Sequence, residues 1–291
     1  MSDAGDGQKG AETKARGGIA ALSDDEMHRI TDYIYRWTGM TFGETKRYYI
    51  ERRVADRVGR TKMPDVRAYL AFLAGHAAER EALVNAFTVN ETYFYREDHQ
   101  FAALSGEILP QIVADKRPGD LVRIWSMPCS TGDEAYSIAI WLLEHWPLVD
   151  AYNVEIVGSD IDTAAIEQAK AGRYAARALG RLPADVVETY FEHEHHHRRK
   201  IIDDLRESVR FVPANLFDRS SLASVGKFDV ILCRNMLIYF DDDSRRIAAD
   251  NLFDCLHPRG FLLLGHSESM ARITDRFAMV RLNDAIVYRK P

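Results

Sequence analysis

The tetrapeptide Cys129-Ser130-Thr131-Gly132 stands between a β-like run, Val122 to Trp125, and a helix-like run, Asp133 to Glu144. Strand, tight turn and helix in that order leave unpaired backbone N–H groups at the helix start, facing whatever lies over the strand end. One glycine is too few for a phosphate-cradling loop. Asp133 and Glu134, at the head of the helix, would also repel a pyrophosphate. The turn suits a carboxylate, an amine or a ribose, which points to an adenosine cofactor without phosphates.

Gly158-Ser159-Asp160-Ile161-Asp162 closes the second β-like run, where doubly wound folds place an acid on ribose hydroxyls. Asp160 fits that role; the plainer reading is a cap for the next helix, which Asp162 or Thr163 can supply instead. Pro213-Ala214-Asn215-Leu216-Phe217 follows the third strand, where an Asn side chain and a backbone N–H read an adenine edge or simply make a turn. Phe228 to Asp241 is an apolar strand running into Arg234-Asn235. Charge at the carboxyl end of a central strand marks a ligand site, the alternative being an Arg paired with a neighbouring acid. His193-Glu194-His195-His196-His197 has the numbers for a metal. Consecutive histidines point in different directions, however, and Arg198-Arg199-Lys200 repels a cation, so no metal site is expected. His266 and Glu268 lie past a strand end and read as support for neighbouring loops.

These residues need a sheet to hold them. β-like runs at Leu121–Met127, Val154–Ser159, Val209–Pro213, Phe228–Cys233 and Phe261–Leu264 alternate with helix-like runs at Gly132–His145, Thr163–Ala171 and Ser244–Leu256. Phe277 to Lys290 reads as two strands turning at Asn283-Asp284. The alternation predicts an α/β fold with a mainly parallel sheet covered by helices on both faces. Residues 173–208 run to about twice the length a strand-to-strand connection needs, so an inserted subdomain is expected there.

Residues from about 20 to 88 read as all-helical. Ser23-Asp24-Asp25-Glu26 is a capping box opening a helix through Trp37. A second helix, Glu44 to Gly59, carries Ile50, Val54 and Val58 on an apolar stripe and Lys46, Arg53, Arg57 and Arg60 on an adjoining one. Pro64 opens a third helix, and Ala77 to Phe87 forms a fourth. The expected division is a flexible tail over 1–18, a helical domain over 19–88 with a basic docking helix at 44–60, and a sheet domain over 89–291.

Of the 291 residues 46% are hydrophobic and 28% charged, an ordinary balance for a folded soluble protein. No uncharged apolar run approaches the roughly 18 residues of a membrane helix, and Met1 to Gly18 lacks the apolar core of a secretory signal. The three cysteines, Cys129, Cys233 and Cys255, are far apart and form no CxxC pair, which predicts a reducing cytoplasm rather than a disulfide framework. The net charge of −6 conceals an asymmetry: between Lys46 and Arg60, Lys46, Arg47, Arg52, Arg53, Arg57 and Arg60 face only Glu51 and Asp56. A nucleic-acid binder spreads its basic charge more broadly. The segment reads as one docking face for an acidic partner, against the plainer reading of a solvated face.

Five segments, residues 90–96, 129–137, 159–162, 233–240 and 265–269, resemble in order the CheR family, chemotaxis receptor methyltransferases that use S-adenosylmethionine. The resemblance runs from about residue 20 to the end. It implies a Rossmann-like methyltransferase sheet, an N-terminal helical domain and a small antiparallel β-subdomain, the last matching the long insertion. It implies that Asn90, Thr92, Arg96, Glu134, Asp160, Asn215, Leu216, Arg234 and Asn235 surround the cofactor, with S-adenosylhomocysteine as product, and that Arg96 and Tyr239 face the substrate carboxylate. The basic helix around Arg53 and Arg57 would dock on the acidic, helical, cytoplasmic methylation region of a receptor. The chain departs from the family's pattern at Met127-Pro128, at Asp133-Glu134-Ala135 and at Arg259, which replaces a glycine; none of these removes a polar group the site needs.

A glutamate acceptor, of ordinary pKa ~4.3, is already ionised at neutral pH and needs no general base. Attack on a sulfonium methyl joins an anion to a cation, so alignment and water exclusion, more than charge stabilisation, must supply the rate. The leading expectation is a cytoplasmic protein-glutamate O-methyltransferase. The competing expectations are a binding module that senses S-adenosylmethionine with little turnover, and a methyltransferase for another acidic protein.

Overall fold

A computed structural model of the chain describes residues 21–194 and 198–291; the expected tail and His195 to His197 lie outside the described residues. Four helices come first: α1 (Asp24–Thr38), α2 (Arg47–Thr61), α3 (Val66–Gly75) and α4 (Ala77–Phe87). The Ser23–Glu26 capping box forms in both directions, with Ser23 N donating to Glu26 at 2.9 Å and Glu26 N to the Ser23 hydroxyl at 3.3 Å. Ile30, Ile34, Ile50, Val54, Val58, Tyr69, Leu73 and Leu83 interlock as the core of this bundle. A 3-10 turn, Glu44–Lys46, precedes α2, so the second helix starts three residues later than its expected beginning at Glu44.

The docking stripe expected on α2 is corrected at Arg57. Its guanidinium turns inward and grips Glu79 at 2.5 and 2.9 Å, and the Tyr69 hydroxyl donates to the same carboxylate at 2.7 Å. Burial alone would raise the Glu79 carboxyl, but Arg57 and Tyr69 outweigh it and hold it below its ordinary range. Arg53 is half-buried, its Nε donating to Ala86 O at 2.5 Å with its guanidinium 3.5 Å over the Tyr49 ring. Lys46 and Arg60 are exposed, although Arg60 pairs with Asp56 at 2.9 Å.

The second part begins with α5 (Asp98–Ala103) and α6 (Leu109–Val113), joined by a π turn at Leu104–Ile108. The sequence pattern does not reveal this helix, because its apolar residues, broken by Pro110, do not hold a 3.6 period. Then follow β1 (Leu121–Ser126), α7 (Asp133–His145), β2 (Asn153–Asp160), α8 (Thr163–Ala171), β3 (Arg173–Ala175), α9 (Ala184–Tyr190), β4 (Phe191–Glu194) and β5 (Arg198–Ile201). The rest is α10 (Asp203–Ser208), β6 (Val209–Pro213), α11 (Arg219–Leu222), β7 (Phe228–Cys233), α12 (Asp242–Cys255), β8 (Leu256–Leu264), β9 (Ala278–Arg281) and β10 (Ile286–Arg289).

Seven strands form one sheet in the order β6-β2-β1-β7-β8-β10-β9, parallel except for the C-terminal hairpin. Successive residues of a strand serve opposite faces: Ile124, Val230 and Leu232 pack into one core, and Trp125, Ile231 and Cys233 into the other. The insertion holds a three-stranded antiparallel sheet, β3-β5-β4. It is fastened to the main domain where the Tyr174 hydroxyl donates to Thr131 O at 2.8 Å and Phe94 N to Ala178 O at 3.0 Å. The chain runs from β1 outward to β2 and β6, then returns to place β7 on the other side of β1. The carboxyl ends of β1 and β7 thus flank a switch in strand order, where open α/β sheets bind ligands.

The helical bundle seats against those strand ends. Thr41 N donates to Tyr239 O at 2.9 Å, beside a β-bridge of Met40 to Phe240. Gly39, at φ 71°, comes so close to Phe217 that a Cβ there would sit 2.7 Å from the ring. Among the described residues no helix is long and apolar enough to cross a membrane.

Candidate active site

The Cys129–Gly132 turn is stitched to the strands on both sides of β1. Met127 N donates to Leu232 O at 2.9 Å and Cys129 N to Ser159 O at 2.8 Å. Gly132 takes φ 90°, and a Cβ there would lie 2.9 Å from Ala169 and 3.1 Å from both Phe211 and the Tyr174 hydroxyl. Only glycine permits that turn and that packing together.

Behind the turn lie two acids, Asp160 buried and Glu134 largely covered. Glu134 accepts from the Ser126 hydroxyl at 2.7 Å and from Arg234 Nη1 at 2.9 Å. Burial raises its carboxyl, against the pull of Arg234. Asp160 accepts one N–H on each oxygen, from Ser130 at 2.8 Å and from Asp162 at 2.9 Å, and burial lifts it to about 6. Asp162 supplies the helix cap, accepting from Ala164 N at 2.9 Å and Ala165 N at 3.0 Å. Its other oxygen accepts from Thr88 at 2.6 Å and Asn90 at 2.8 Å, and Asn90 accepts in turn from the Ser130 hydroxyl at 2.8 Å. The segment linking the two domains is thereby bound into the floor of the site.

Arg234 is a paired arginine after all: besides Glu134 it donates to Arg96 O at 2.5 Å and stands 3.3 Å from Glu97. Its Nε is buried with no partner among the described residues. Glu97, at φ 57°, also meets His266 Nδ1 at 3.0 Å. Asn235, at φ 58°, is held by Glu268, which accepts from Asn235 N and Leu237 N at 2.7 Å and from Gly265 N at 2.9 Å. Glu268 thus supports neighbouring loops in the way its position suggests.

Two cavities open along these groups. One, of about 190 Å³, is walled by Thr92, Arg96, Glu134, Arg234, Asn235 and Tyr239, with Ser130 and Glu91 among its other neighbours. The second, of about 310 Å³, lies between the helical bundle and the ends of β2 and β6, walled by Trp37, Val84, Ile161, Ala214 and Asn215. Asn90, Asp160 and Leu216 stand behind these walls. Leu216 is fully buried in the core, its carbonyl taken by Asn251 at 2.9 Å. The Asn215 side chain makes an Asx turn to Phe217 N at 3.0 Å and donates to Trp37 O at 2.8 Å.

Against known families, residues 90–286 match the model of the CheR methyltransferase SAM-binding domain and residues 25–88 that of its all-alpha domain. The chain belongs to the CheR methyltransferase family. It is 44% identical over 272 residues to chemotaxis protein methyltransferase 2 of Vibrio cholerae, covering 93% of this chain and 94% of that one. It is 37% identical to a chemotaxis protein methyltransferase of Vibrio parahaemolyticus (92% and 98% covered) and 33% to that of Escherichia coli (89% of each).

As a member of the CheR family the chain is an S-adenosylmethionine-dependent methyltransferase. The lining fits that cofactor: the partly exposed Glu134 carboxylate is an acceptor for an amine or hydroxyl group, the unpartnered Arg234 Nε a donor for a carboxylate, and the mainly apolar cavity beside Ile161 a space for a base. Sequence reasoning missed Glu97 and Ser126, which set Arg234 and Glu134 in place. No spacing rule points to either: Ser126 is an ordinary strand-end serine, and Glu97 reaches Arg234 only because Tyr95 and Glu97 both take left-handed backbone.

Arg96 and Tyr239 meet at the first cavity, arriving from the interdomain segment and from the turn after β7. Arg96 Nη1 donates to Glu91 O at 3.0 Å, and its guanidinium lies 5.8 Å over the Tyr93 ring. Burial raises the Tyr239 hydroxyl; Glu91 adds to this and Arg96 opposes it. Phe94 and Tyr95 turn inward and are buried, so of the aromatic run Tyr93–Tyr95 only Tyr93 stays partly open to solvent.

Proposed function

We propose that the chain transfers the methyl group to glutamate side-chain carboxylates in the cytoplasmic helical region of chemoreceptors, giving glutamyl methyl esters and S-adenosylhomocysteine. The convergence of Arg96 and Tyr239 on the cavity shared by Glu134, Arg234 and Asn235 carries this reading. S-adenosylmethionine, when bound, supplies an electrophilic methyl group on a sulfonium. The chain's own residues supply alignment. Arg96 pairs with the acceptor carboxylate and the Tyr239 hydroxyl, kept protonated by its burial, donates to it. Among the described residues no histidine or cysteine lines the cavity, which suits an acceptor that arrives ionised. Exposed Lys46 and Arg60, with the half-buried Arg53, offer positive charge to the acidic helix that carries the glutamate. A sensor without turnover is not favoured, because the groups that would orient an acceptor are present beside those suited to the cofactor.

The test is transfer of radiolabelled methyl from S-adenosylmethionine to receptor-containing membranes. The expected product releases its label in mild alkali, as a carboxyl ester does; alkali-stable label rules the glutamate ester out.

A further inference from the structure

The turn after β7 brings two residues to the reaction cavity, Asn235 at its start and Tyr239 at its end. Asn235 takes φ 58°, left-handed backbone that residues other than glycine keep only where their surroundings enforce it. Leu237 to Tyr239 then wind into a 3-10 turn. One side chain from another turn holds both features. Glu268, past the end of β8, accepts from Asn235 N at 2.7 Å and Gly265 N at 2.9 Å on one carboxylate oxygen, and from Leu237 N at 2.7 Å on the other. Its own N–H donates to Gly265 O at 2.9 Å, which seats the side chain on its own turn. Burial raises the Glu268 carboxyl, and the backbone N–H groups oppose the rise; among the described residues no cation pairs with it. The far end of the β7 turn is tied separately, by Thr41 N donating to Tyr239 O at 2.9 Å.

A carboxylate suits this place because both of its oxygens accept. A glutamine offers one oxygen, and its NH2 would confront the remaining N–H. Glu268 does not line the cavity, so it reaches the reaction only through the turn it holds. Tyr239 carries its hydroxyl at the end of a long, rigid side chain, and a small rotation of the backbone at Leu237 moves that hydroxyl by more. Where alignment supplies the rate, a displacement of about 1 Å costs on the order of a hundredfold. We propose that Glu268 is a positioning residue for methyl transfer: by joining Asn235 N and Leu237 N through one carboxylate, it fixes the Tyr239 hydroxyl relative to the Asn235 wall of the cavity. The inference rests on Tyr239 facing the acceptor carboxylate, as in the function proposed above. A carboxylate that only stabilised the two turns would matter equally with or without a hydroxyl on residue 239. One that positions Tyr239 matters only while the hydroxyl is there to be placed.

The experiment is a double-mutant cycle in the full chain: the unaltered protein, Glu268→Gln, Tyr239→Phe and the two together. Methyl transfer to receptor-containing membranes is measured at saturating S-adenosylmethionine. Glu268→Gln is expected to lower kcat about tenfold, as far as Tyr239→Phe does, while the KM for the membranes moves by less than about threefold. In the Tyr239→Phe background the same change should lower kcat by less than about twofold further, where independent effects would multiply to about a hundredfold. Calorimetry with S-adenosylhomocysteine reads the other end of the turn. The glutamine oxygen can keep the N–H groups of Asn235 and Gly265, so the Kd should change by less than about threefold. Melting curves confirm that each variant is folded at the assay temperature. Glu268→Asp, which keeps the charge but is one methylene too short to hold both turns, takes the place of the Gln variant in the same cycle if that one is not. Losses that multiply, an unchanged kcat in Glu268→Gln, or a Kd that rises as far as kcat falls overturns the positioning role. Full turnover in Tyr239→Phe instead overturns the acceptor reading on which it rests.

Discussion

Arg234 Nη1 lies 2.9 Å from Glu134 Oε2, joining the end of β7 to the head of α7 across 100 residues of sequence. The arginine side chain is 2% exposed and that of Glu134 13%. Such a pair gives little net stability while intact, but losing one member leaves the other charge buried without its counter-ion. Arg234→Ala is expected to cost about 3 kcal/mol, because Glu134 keeps only Ser126 and Glu97 also loses a partner. Urea unfolding measures it; a loss under about 1 kcal/mol would show that the site relaxes around the vacancy.

Arg96 behaves differently. Among the described residues its side chain makes a single hydrogen bond, to a backbone carbonyl, and is partly exposed. Arg96→Ala should change stability by less than about 1 kcal/mol. It should lower turnover by about a hundredfold if it aligns the carboxylate. Tyr239→Phe removes one hydroxyl and should lower turnover by about tenfold. Single-turnover methyl transfer together with a melting curve separates the two effects; unchanged turnover in both variants removes these residues from the reaction.

Cofactor binding depends on pH if Asp160 meets the ribose, as proposed from its place at the end of β2. Burial lifts its carboxyl to about 6 from an ordinary 3.8, so folding favours the protonated form. That contribution to stability is full below about pH 4 and disappears as the pH rises through about 6. A ligand that donates hydroxyl protons to the carboxylate prefers the ionised form, so the sign for binding is opposite. Affinity for S-adenosylhomocysteine should rise by about tenfold from pH 5 to pH 8. Calorimetry at the two pH values checks this, and a flat profile would mean that Asp160 does not meet the ribose.

On α2, a structural arginine and an exposed lysine can be told apart. Arg57→Ala strands Glu79 among Tyr69 and its neighbours, and the expected loss is about 2–3 kcal/mol of stability. Lys46→Ala should leave the melting temperature in place and raise the KM for receptor membranes by a factor that shrinks as salt is added. A salt-independent KM, or a destabilised Lys46 variant, would contradict the assignment.

The elements that hold the site were legible because their signals are local. Ser23 and Glu26 mark a helix start by spacing alone, and the Thr163–Ala171 helix and the Val209–Pro213 and Phe228–Cys233 strands coincide with their periodic runs. The joined helices α5 and α6 were hidden because a π turn shifts the period within sixteen residues. The strand expected at Phe261–Leu264 begins earlier, at Leu256; that first part was hidden because His257-Pro258-Arg259 breaks its alternation, Arg259 taking φ 66° where the family resemblance expects glycine.

The amino-acid sequence by itself determined the chemistry on offer: a one-glycine turn ahead of two acids, an acid at the end of the second strand, and an Arg-Asn pair at the end of a buried apolar one. Those are short-range facts of residue type and spacing. Which charges are free and which are spent was decided only by the tertiary structure. Arg57 finds Glu79 on another helix, Arg234 finds Glu134 and Glu97 on two other segments, and Asn215 gives its amide to Trp37 across the domain seam. Periodicity shows which face a side chain takes, but a charge is neutralised by whatever the fold brings within about 4 Å of it, and that neighbour is set by the packing of distant segments.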